Sequence, residues 1–380
     1  MGNKRCGVPC VGAVVAWLLG LAFAREYLPE WLDACLTIYT CSQTVPEIPN
    51  TSSGTTTIVE PCPVETGIIN TPAELERLIE CIASSGNRAK GDFNITWTDV
   101  DPMSPDLDFP NLTQIDGNVA FLDLRSADNA NAKAITITAD SLQAISGQLA
   151  FVDMPMLNMP SFPNLALADA IVFEDVTFTG PSSFGAQTFK TLSQISTMSF
   201  TNTNIADIGN GWDPDFKPIL GNSRFSLAAV GNRNLTSLTL GGYQAANIHI
   251  EDNNVDLSVE LRGLQGCTLN LQGVAAFSAP DLRQVGLDGA IGGGLNGTAA
   301  QTSAAPAGKL YKRQEDGDSD SDTAMNTISG NSFQELRLER LDTIVGPFNL
   351  SNNSGLQTIA FPSLANIFGQ VDMSGEVLDS

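Results

Sequence analysis

Short stretches in which every second residue is hydrophobic recur along most of this chain. They are divided by glycine, asparagine, aspartate and proline, and clear examples are Val119/Phe121, Ile135/Ile137, Leu149/Phe151, Ile248/Ile250 and Leu269/Leu271. A period of two places one set of side chains in a core and the other set in solvent. The pattern predicts many short β-strands between residues 94 and 295.

The chain also repeats itself. Residues 115–123 and 145–153 are near copies 30 positions apart, and residues 341–346 and 364–369 share a Leu-x-x-Ile-x-Gly frame 23 positions apart. Such periods are typical of stacked repeats. Because parallel crossovers are usually right-handed, we predict a mainly β fold, a right-handed parallel β-solenoid. The Leu-x-x-Ile pairs predicted to face inward are Leu112/Ile115, Leu142/Ile145, Leu192/Ile195, Leu341/Ile344 and Leu364/Ile367.

Glycine and asparagine mark the corners of the predicted repeats. The glycines at 117, 147, 346 and 369 are expected to let the backbone turn where a side chain would be crowded. Asn-Asn-x-x-Leu occurs at 253–257 and 352–356, where asparagine would bond the backbone of adjacent turns.

A helix precedes the first full repeat. Thr71 to Glu74 form a capping box with proline at the first helical position, and apolar residues follow at helical spacing. These residues are Leu75, Leu78, Ile79 and Ile82. The helix is predicted to cover the exposed end of the stack, so that residues 62–92 form an N-terminal cap.

The N-terminus has the pattern of a secretory signal. Lys4 and Arg5 precede an apolar run over 8–23, and Ala22-Phe23-Ala24 supplies a cleavage pattern, so residues 1–24 are predicted to be a signal peptide. The alternative is a signal anchor that stays in the bilayer. Residues 25–61 would be an N-terminal extension that ends in a Ser/Thr/Pro-rich linker.

Five cysteines follow the predicted signal: Cys35, Cys41, Cys62, Cys81 and Cys267. Proximity alone suggests the disulfides Cys62–Cys81 and Cys35–Cys41. Cys267 alternates with Leu269 and Leu271, which predicts a buried, inert thiol.

An acidic segment interrupts the repeats. Residues 299–330 pass from an Ala/Gly/Ser-rich stretch into a run of aspartates, and are predicted to be a disordered insert. The solenoid would therefore span 62–298 and continue, incompletely, over 331–380, with repeats resuming at Phe333.

Seven Asn-x-Ser/Thr sequons suggest glycosylation. They are at Asn50, Asn94, Asn111, Asn234, Asn296, Asn349 and Asn352. With the leader, they predict an extracellular glycoprotein. The net charge of −23 argues against nucleic acid as a partner, because such a surface repels phosphate.

Catalysis has little support in the sequence. The densest carboxylate cluster is Asp99, Asp101, Asp106 and Asp108, but nearby prolines predict a turn-rich loop. The chain has one histidine, His249, which alternation places in solvent. We therefore expect no catalytic residues, no cofactor and no metal site.

Binding is the better-supported class of function. The exposed face of stacked strands would offer a ridged surface for a glycan or a protein. The aromatic candidates for stacking on sugars are Trp97, Trp212 and Tyr243.

The leader, the Cys62 and Cys81 pair around a short helix, the sequons and the repeats together resemble the fungal cell-wall organisation proteins. The motif matches are 109–117, 277–282 and 361–369, and the resemblance covers residues 60–376. It implies a receptor L-domain or leucine-rich-repeat-like solenoid and a non-catalytic, lipid-anchored glycoprotein at the cell wall and the outer face of the plasma membrane. Its partners would be wall polysaccharide or wall and surface proteins.

The C-terminus departs from that family pattern. Residues 370–380 have neither the polar spacer nor the hydrophobic tail of a glycosylphosphatidylinositol signal. We expect membrane contact only through an anchor not visible in this chain, and a native C-terminus beyond Ser380. Two alternatives stay open: a polysaccharide-active β-helix enzyme and the ectodomain of a cell-surface receptor.

Overall fold

The computed structural model describes residues 60–63, 67–96, 106–124, 134–180, 183–185, 188–210, 225–241, 245–286 and 326–374. All of them belong to one unit, residues 58–380. Within them the chain is mainly β, with 28 strands and a single helix.

Most strands are only three to five residues long, as the alternation predicts. In chain order they are β1 (Cys62–Pro63), β2 (Gly67–Ile69), β3 (Arg88–Lys90), β4 (Phe93–Ile95), β5 (Asp106–Asp108), β6 (Gln114–Asp116), β7 (Val119–Leu122), β8 (Thr136–Thr138), β9 (Ala144–Ile145), β10 (Gln148–Val152), β11 (Ala170–Glu174), β12 (Ser183–Gly185), β13 (Thr197–Thr201), β14 (Asp207–Asn210), β15 (Phe225–Val230), β16 (Ser237–Gly241), β17 (Ala245–Glu251), β18 (Ser258–Arg262), β19 (Gly266–Gln272), β20 (Ala276–Ser278), β21 (Gln284–Val285), β22 (Asn326–Ser329), β23 (Glu335–Arg337), β24 (Thr343–Val345), β25 (Phe348–Ser351), β26 (Thr358–Ala360), β27 (Asn366–Phe368) and β28 (Val371–Ser374). The helix α1 spans Pro72–Ser84.

The strands form stacked parallel sheets. The main sheet runs in the order β2-β4-β7-β10-β11-β13-β15-β17-β19, then continues through β21-β24-β27 and, beside these, β22-β25-β28. Smaller sheets are β1-β3-β6-β9, β12-β14-β16-β18-β20, β5-β8 and β23-β26. Every strand pair in the described residues is parallel.

Equivalent residues of successive repeats lie next to each other in this arrangement. Ile115 pairs with Ile145, as the near-copy segments predict, and Phe121 pairs with Phe151. The rings of Phe121, Phe151, Phe173 and Phe200 form a column with successive centroid distances of 5.2, 4.7 and 5.6 Å. Each stacked pair adds about 1 kcal/mol beyond the burial of its area.

The first repeat contains α1. Thr71 is its N-cap and accepts a hydrogen bond from the backbone of Glu74 at 3.3 Å, while the carboxylate of Glu74 accepts from the backbone of Asn70 at 2.9 Å. Leu75, Leu78 and Ile82 are buried in the core, and Ile79 packs against it. Cys62 of β1 and Cys81 of α1 form a disulfide, the pair that their proximity suggests.

Nine strands of the main sheet, β7, β10, β11, β13, β15, β17, β19, β22 and β25, are each followed directly by a residue in the left-handed conformation. The φ angle is positive at Asp123, Asp153, Asp175, Asn202, Gly231, Asp252, Gly273, Gly330 and Asn352. Aspartate, asparagine and glycine are the residues that adopt this conformation most readily. The next residue of each repeat turns back toward the core: Leu124, Met154, Val176, Thr203, Asn232, Asn253, Val274, Asn331 and Asn353.

In the later repeats this inward position forms an asparagine ladder, which consists of Asn232, Asn253, Asn331 and Asn353. The Oδ1 atom of Asn232 accepts from the backbone N–H and the hydroxyl of Thr203 at 2.9 and 2.7 Å, and its Nδ2 donates to the carbonyl of Phe200. The Oδ1 atom of Asn253 accepts in turn from the backbone of Asn232 at 3.0 Å.

The same contacts recur at Asn331, which accepts from the backbone of Val274 at 2.8 Å, and at Asn353, which accepts from the backbone of Asn331 at 3.0 Å. The two Asn-Asn-x-x-Leu motifs therefore contain two of the four ladder residues.

Glycine allows close approach between repeats at three of the four predicted corners. A Cβ atom would lie 2.2 Å from the carbonyl oxygen of Gly91 at Gly117, 2.7 Å from that of Gly117 at Gly147, and 2.2 Å from that of Gly346 at Gly369. The prediction of crowding was wrong for Gly346, where a Cβ would meet nothing within 4 Å. Its φ of 79° is what favours glycine there.

Two further predictions need correction. Repeats resume at β22, inside the segment predicted as disordered insert 299–330 and before Phe333, because Asn326–Ser329 alternates and pairs with β19 and β25. Four of the five Leu-x-x-Ile pairs are buried, but in the last one Ile367 is 50% exposed. In the described residues no later strand covers it.

Candidate functional site

The candidate site is the outer face of the main sheet, which is formed by the side chains that alternate away from the core. One column of this face follows neighbouring strands in register: Ala120, Ala150, Val172, Ser199, Ala228, His249, Asn270, Thr327, Asn349 and Asp372. The chemistry of this column changes from apolar to polar along the stack. The outer face therefore divides into two parts.

The earlier part, on β7 to β15, is mostly small and apolar. Ala150, Val172 and Ser199 are buried although they alternate outward. Leu122, Val152 and Val230 lie beside this column and are half-buried. This part has fewer hydrogen-bonding groups than the later part, and its half-buried polar side chains are Gln148, Glu174, Thr197, Thr201 and Ser226.

The later part, on β17, β19, β22 and β25, is a polar field of ten outward side chains. None of them is fully buried, and nine of the ten are half-buried. The polar field consists of Asn247, His249, Glu251, Thr268, Asn270, Gln272, Thr327, Ser329, Asn349 and Ser351. Amide and hydroxyl groups both donate and accept hydrogen bonds, so the field matches a ligand rich in hydroxyl groups.

Contacts within the polar field order some of its side chains. The hydroxyl of Thr268 donates to Oδ1 of Asn247 on the neighbouring strand. His249 Nε2 lies 2.9 Å from Glu251 Oε2, and both side chains are substantially exposed. The Oδ1 atom of Asn349 is buried and has no hydrogen-bond partner among the described residues.

Glu174 lies on β11, within the earlier part, with Asp153 and Asp175 close to it. Partial burial raises the pKa of its carboxyl above the ordinary value, and the charges of Asp175 and Asp153 raise the pKa further. The carboxylates at this corner therefore repel each other.

The described sequons fall into two groups. Asn111 and Asn234 are exposed in turns and Asn352 is exposed directly after β25, whereas Asn94 and Asn349 are half-buried within β4 and β25. Asn349 lies between Thr327 and Asp372 on adjacent strands. A glycan on Asn349 would cover the later part of the polar field.

Two of the four carboxylates considered for catalysis lie on a strand. Asp106 and Asp108 lie on β5, both exposed, and Asp108 accepts from the hydroxyl of Thr138 at 2.8 Å. The prediction of a turn-rich loop was wrong for these two residues, because Leu107 between them is a core position that pairs with Ile137.

Cys267 is fully buried, as its alternation predicts. Burial raises the pKa of its thiol to about 12. A thiol with such a pKa has almost no thiolate at neutral pH and is therefore unreactive.

An apolar gap between Phe109, Phe121 and Leu142 has a volume of about 10 Å³, which is too small for a ligand. Among the described residues, no group of three or more His, Cys, Asp or Glu side chains is placed to hold a metal ion. Likewise, no helix in the described part of the chain has the length and hydrophobicity to cross a membrane.

Several predicted features lie outside the described residues. They are the signal peptide 1–24, the extension and linker over 25–59, the Cys35–Cys41 pair, Asn50, Asn296, Asp99, Asp101, Trp97, Trp212, Tyr243 and residues 299–325 of the acidic insert. They stay predictions from the sequence.

Comparisons of this chain with family models, with curated proteins and with solved structures found no match. The functional argument therefore depends on the residues and geometry above.

Proposed function

We propose that this protein is a non-catalytic extracellular glycoprotein that binds neutral wall polysaccharide through the polar field. The fold proposed for the whole stack is a right-handed solenoid of the receptor L-domain type. The proposed location is the fungal cell wall and the outer face of the plasma membrane, where such binding would contribute to wall organisation and integrity.

The register of the polar field is the observation that carries this proposal. Neighbouring strands lie about 4.8 Å apart, a spacing close to the length of one sugar unit in an extended chain. Outward polar side chains repeat on each strand at this spacing, as in the in-register series His249, Asn270, Thr327 and Asn349. An extended polysaccharide lying across the strands would meet a similar set of groups at each sugar.

The charge of the field favours a neutral ligand. Glu251 is its only carboxylate, and His249 contacts it at 2.9 Å. The chain as a whole has a net charge of −23, which repels anionic polymers such as pectin. Glucan and chitin carry no such charge and suit an array of amides and hydroxyls.

Polysaccharide binding through this field requires that Asn349 carry no glycan. We therefore expect glycans at Asn111, Asn234 and Asn352, which are exposed outside the strands, and none at Asn349. Enzymatic deglycosylation in heavy-oxygen water, followed by peptide mass spectrometry, measures each site. Full occupancy of Asn349 would contradict the binding face while leaving the glycoprotein assignment intact.

A binding experiment tests the function. The purified protein is incubated with insoluble β-glucan and with chitin, and the bound fraction is measured against protein concentration. Changing Asn270 and Gln272 together to leucine removes two hydrogen-bonding groups and should weaken binding by about tenfold or more. The matched control is Ser226→Leu on β15, outside the field, which should change affinity by less than about twofold.

Two results would overturn the proposal. One is equal binding by the double variant and the control. The other is release of reducing ends from either polysaccharide, which would favour the enzyme alternative.

A further inference from the structure

The uncharged groups of the polar field are of two chemical kinds, carboxamides and hydroxyls. The carboxamides are Asn247, Asn270, Gln272 and Asn349. A carboxamide holds its N–H and C=O groups in one plane, so it can donate to a second amide and accept from it at the same time. A sugar hydroxyl offers a single oxygen and cannot pair in this way. Carboxamides can therefore distinguish a sugar that bears an amide from one that bears only hydroxyls.

Carboxamides alternate with a hydroxyl along one column of the field. Asn270 on β19, Thr327 on β22 and Asn349 on β25 are in register. Asn270 and Asn349 are therefore two strand spacings apart, about 9.6 Å, which is close to the length of two sugars in an extended chain. Successive sugars of a β-1,4-linked polysaccharide face opposite sides, so a given substituent recurs on one side at every second sugar. Such a substituent would meet Asn270 and then Asn349.

The fold itself makes no use of the carboxamide of Asn270. Within the described residues this side chain has no hydrogen-bond partner, whereas Oδ1 of Asn247 accepts from Thr268. The inward asparagines of the ladder differ, because each of them donates to a backbone carbonyl. Asn270 is half-buried on the outer face and keeps both its donor and its acceptor for a ligand. At Asn349 the Oδ1 atom is buried, so a contact there would be a donation from Nδ2.

The surroundings of Asn270 suit a neutral amide. Its neighbours are Thr268 and Gln272 on the same strand, and His249 and Thr327 in register on the adjacent strands. The nearest carboxylate of the field, Glu251, is in contact with His249 at 2.9 Å. An acetamido group carries no charge, so it can pair with Asn270 without leaving a charge unpaired.

We infer that the polar field selects a β-1,4-linked polysaccharide whose sugars carry acetamido groups, as in chitin, over a glucan of the same linkage. Asn270 pairs with the acetamido group of one sugar through both its N–H and its C=O. Asn349 donates to the acetyl carbonyl two sugars further on. A glucan leaves part of this hydrogen-bonding capacity unused, which lowers its affinity. The inference rests on the proposed function, because it names the polysaccharide that the same field binds.

The test compares two tetrasaccharides with the same β-1,4 linkage, one of N-acetylglucosamine and one of glucose, which differ only in having an acetamido group or a hydroxyl. Titration calorimetry with the purified, deglycosylated full-length chain measures both affinities. The acetylated tetramer should bind about tenfold or more tightly than the glucose tetramer. Asn270→Thr keeps a hydroxyl but removes the carboxamide. It should reduce this preference to about threefold or less, and change the affinity for the glucose tetramer by less than about twofold.

The matched control is Gln194→Thr, at an exposed carboxamide outside the polar field, which should leave both affinities unchanged. Circular dichroism confirms that each variant is folded. Equal affinities for the two tetramers would overturn the inference while leaving polysaccharide binding intact. An acetamido preference that Asn270→Thr retains would also overturn it. If neither tetramer binds, the proposed function fails as well.

Discussion

At the scale of single residues, the inward corner position determines how neighbouring repeats are joined. Early repeats fill it with Leu124, Met154 and Val176, which are fully buried. Later repeats use the asparagine ladder, in which each amide satisfies backbone groups of the repeat before it. The sequence motif at 253–257 and 352–356 predicted this role for asparagine, but Asn232 and Asn331 lie outside any such motif and were missed. Their signal is a left-handed glycine directly before each of them, Gly231 and Gly330.

Exchanging asparagine and an apolar residue at the inward corner position should destabilise the fold in both cases. Asn232→Leu leaves the backbone and hydroxyl of Thr203 and the carbonyl of Phe200 without their partner, which should cost about 2 to 4 kcal/mol. Met154→Asn would bury an amide in an apolar corner at a similar cost. Urea denaturation measures both. Asn254→Ala, which removes hydrogen bonds at a partly exposed turn, should cost about 1 kcal/mol or less.

Glu174 makes stability depend on pH. Because the fold raises the pKa of this carboxyl, the folded state holds the proton more tightly than the unfolded state. The contribution of this carboxyl to the stability of the fold is fully present below the ordinary pKa of 4.5, and it is lost as the pH rises through the folded pKa. Glu174→Gln should therefore raise the melting temperature at pH 7 and change it little at pH 4. The exposed Glu80→Gln on α1 is the control, and an equal rise for both variants at pH 7 would contradict the assignment.

At the scale of elements, alternation was the most reliable signal. It predicted the strands of the main sheet, because inward aliphatic residues alternate with outward residues along each of these strands. It failed where the strand was short and lay among prolines, as in β5, and where a four-residue strand followed a long acidic run, as in β22. Local composition favours a loop in both places, and only pairing with other repeats makes them strands.

The first repeat should depend on its disulfide. Cys62 and Cys81 are 19 positions apart, and closing a loop of this size stabilises a fold by about 3 kcal/mol. The double variant Cys62→Ala/Cys81→Ala should lose roughly that amount and should increase hydrogen exchange first in α1. Thr71→Ala removes only the helix cap and should cost about 1 kcal/mol. Equal exchange in α1 with and without the disulfide would contradict this account.

At the scale of the whole molecule, the sequence predicted the stack of parallel repeats and a binding role for its exposed face, but not which residues of that face lie next to each other. The near-copy segments and the Leu-x-x-Ile pairs are inward features, and inward positions follow from hydrophobicity alone. The polar field is made of common polar residues whose meaning depends on which strands become neighbours. Asn270 and Thr327 are 57 positions apart and separated by the acidic run, so their adjacency could not be deduced from spacing.

The dependence of affinity on ligand length is the most direct test of the central claim, that an extended neutral polysaccharide lies across successive strands of the polar field. Titration calorimetry with β-glucan and chitin oligosaccharides of increasing length would measure it. The affinity should rise with each added sugar until about four units, when β17, β19, β22 and β25 are all engaged, and then level off. An affinity already complete with one or two sugars, or no binding at any length, would contradict the claim.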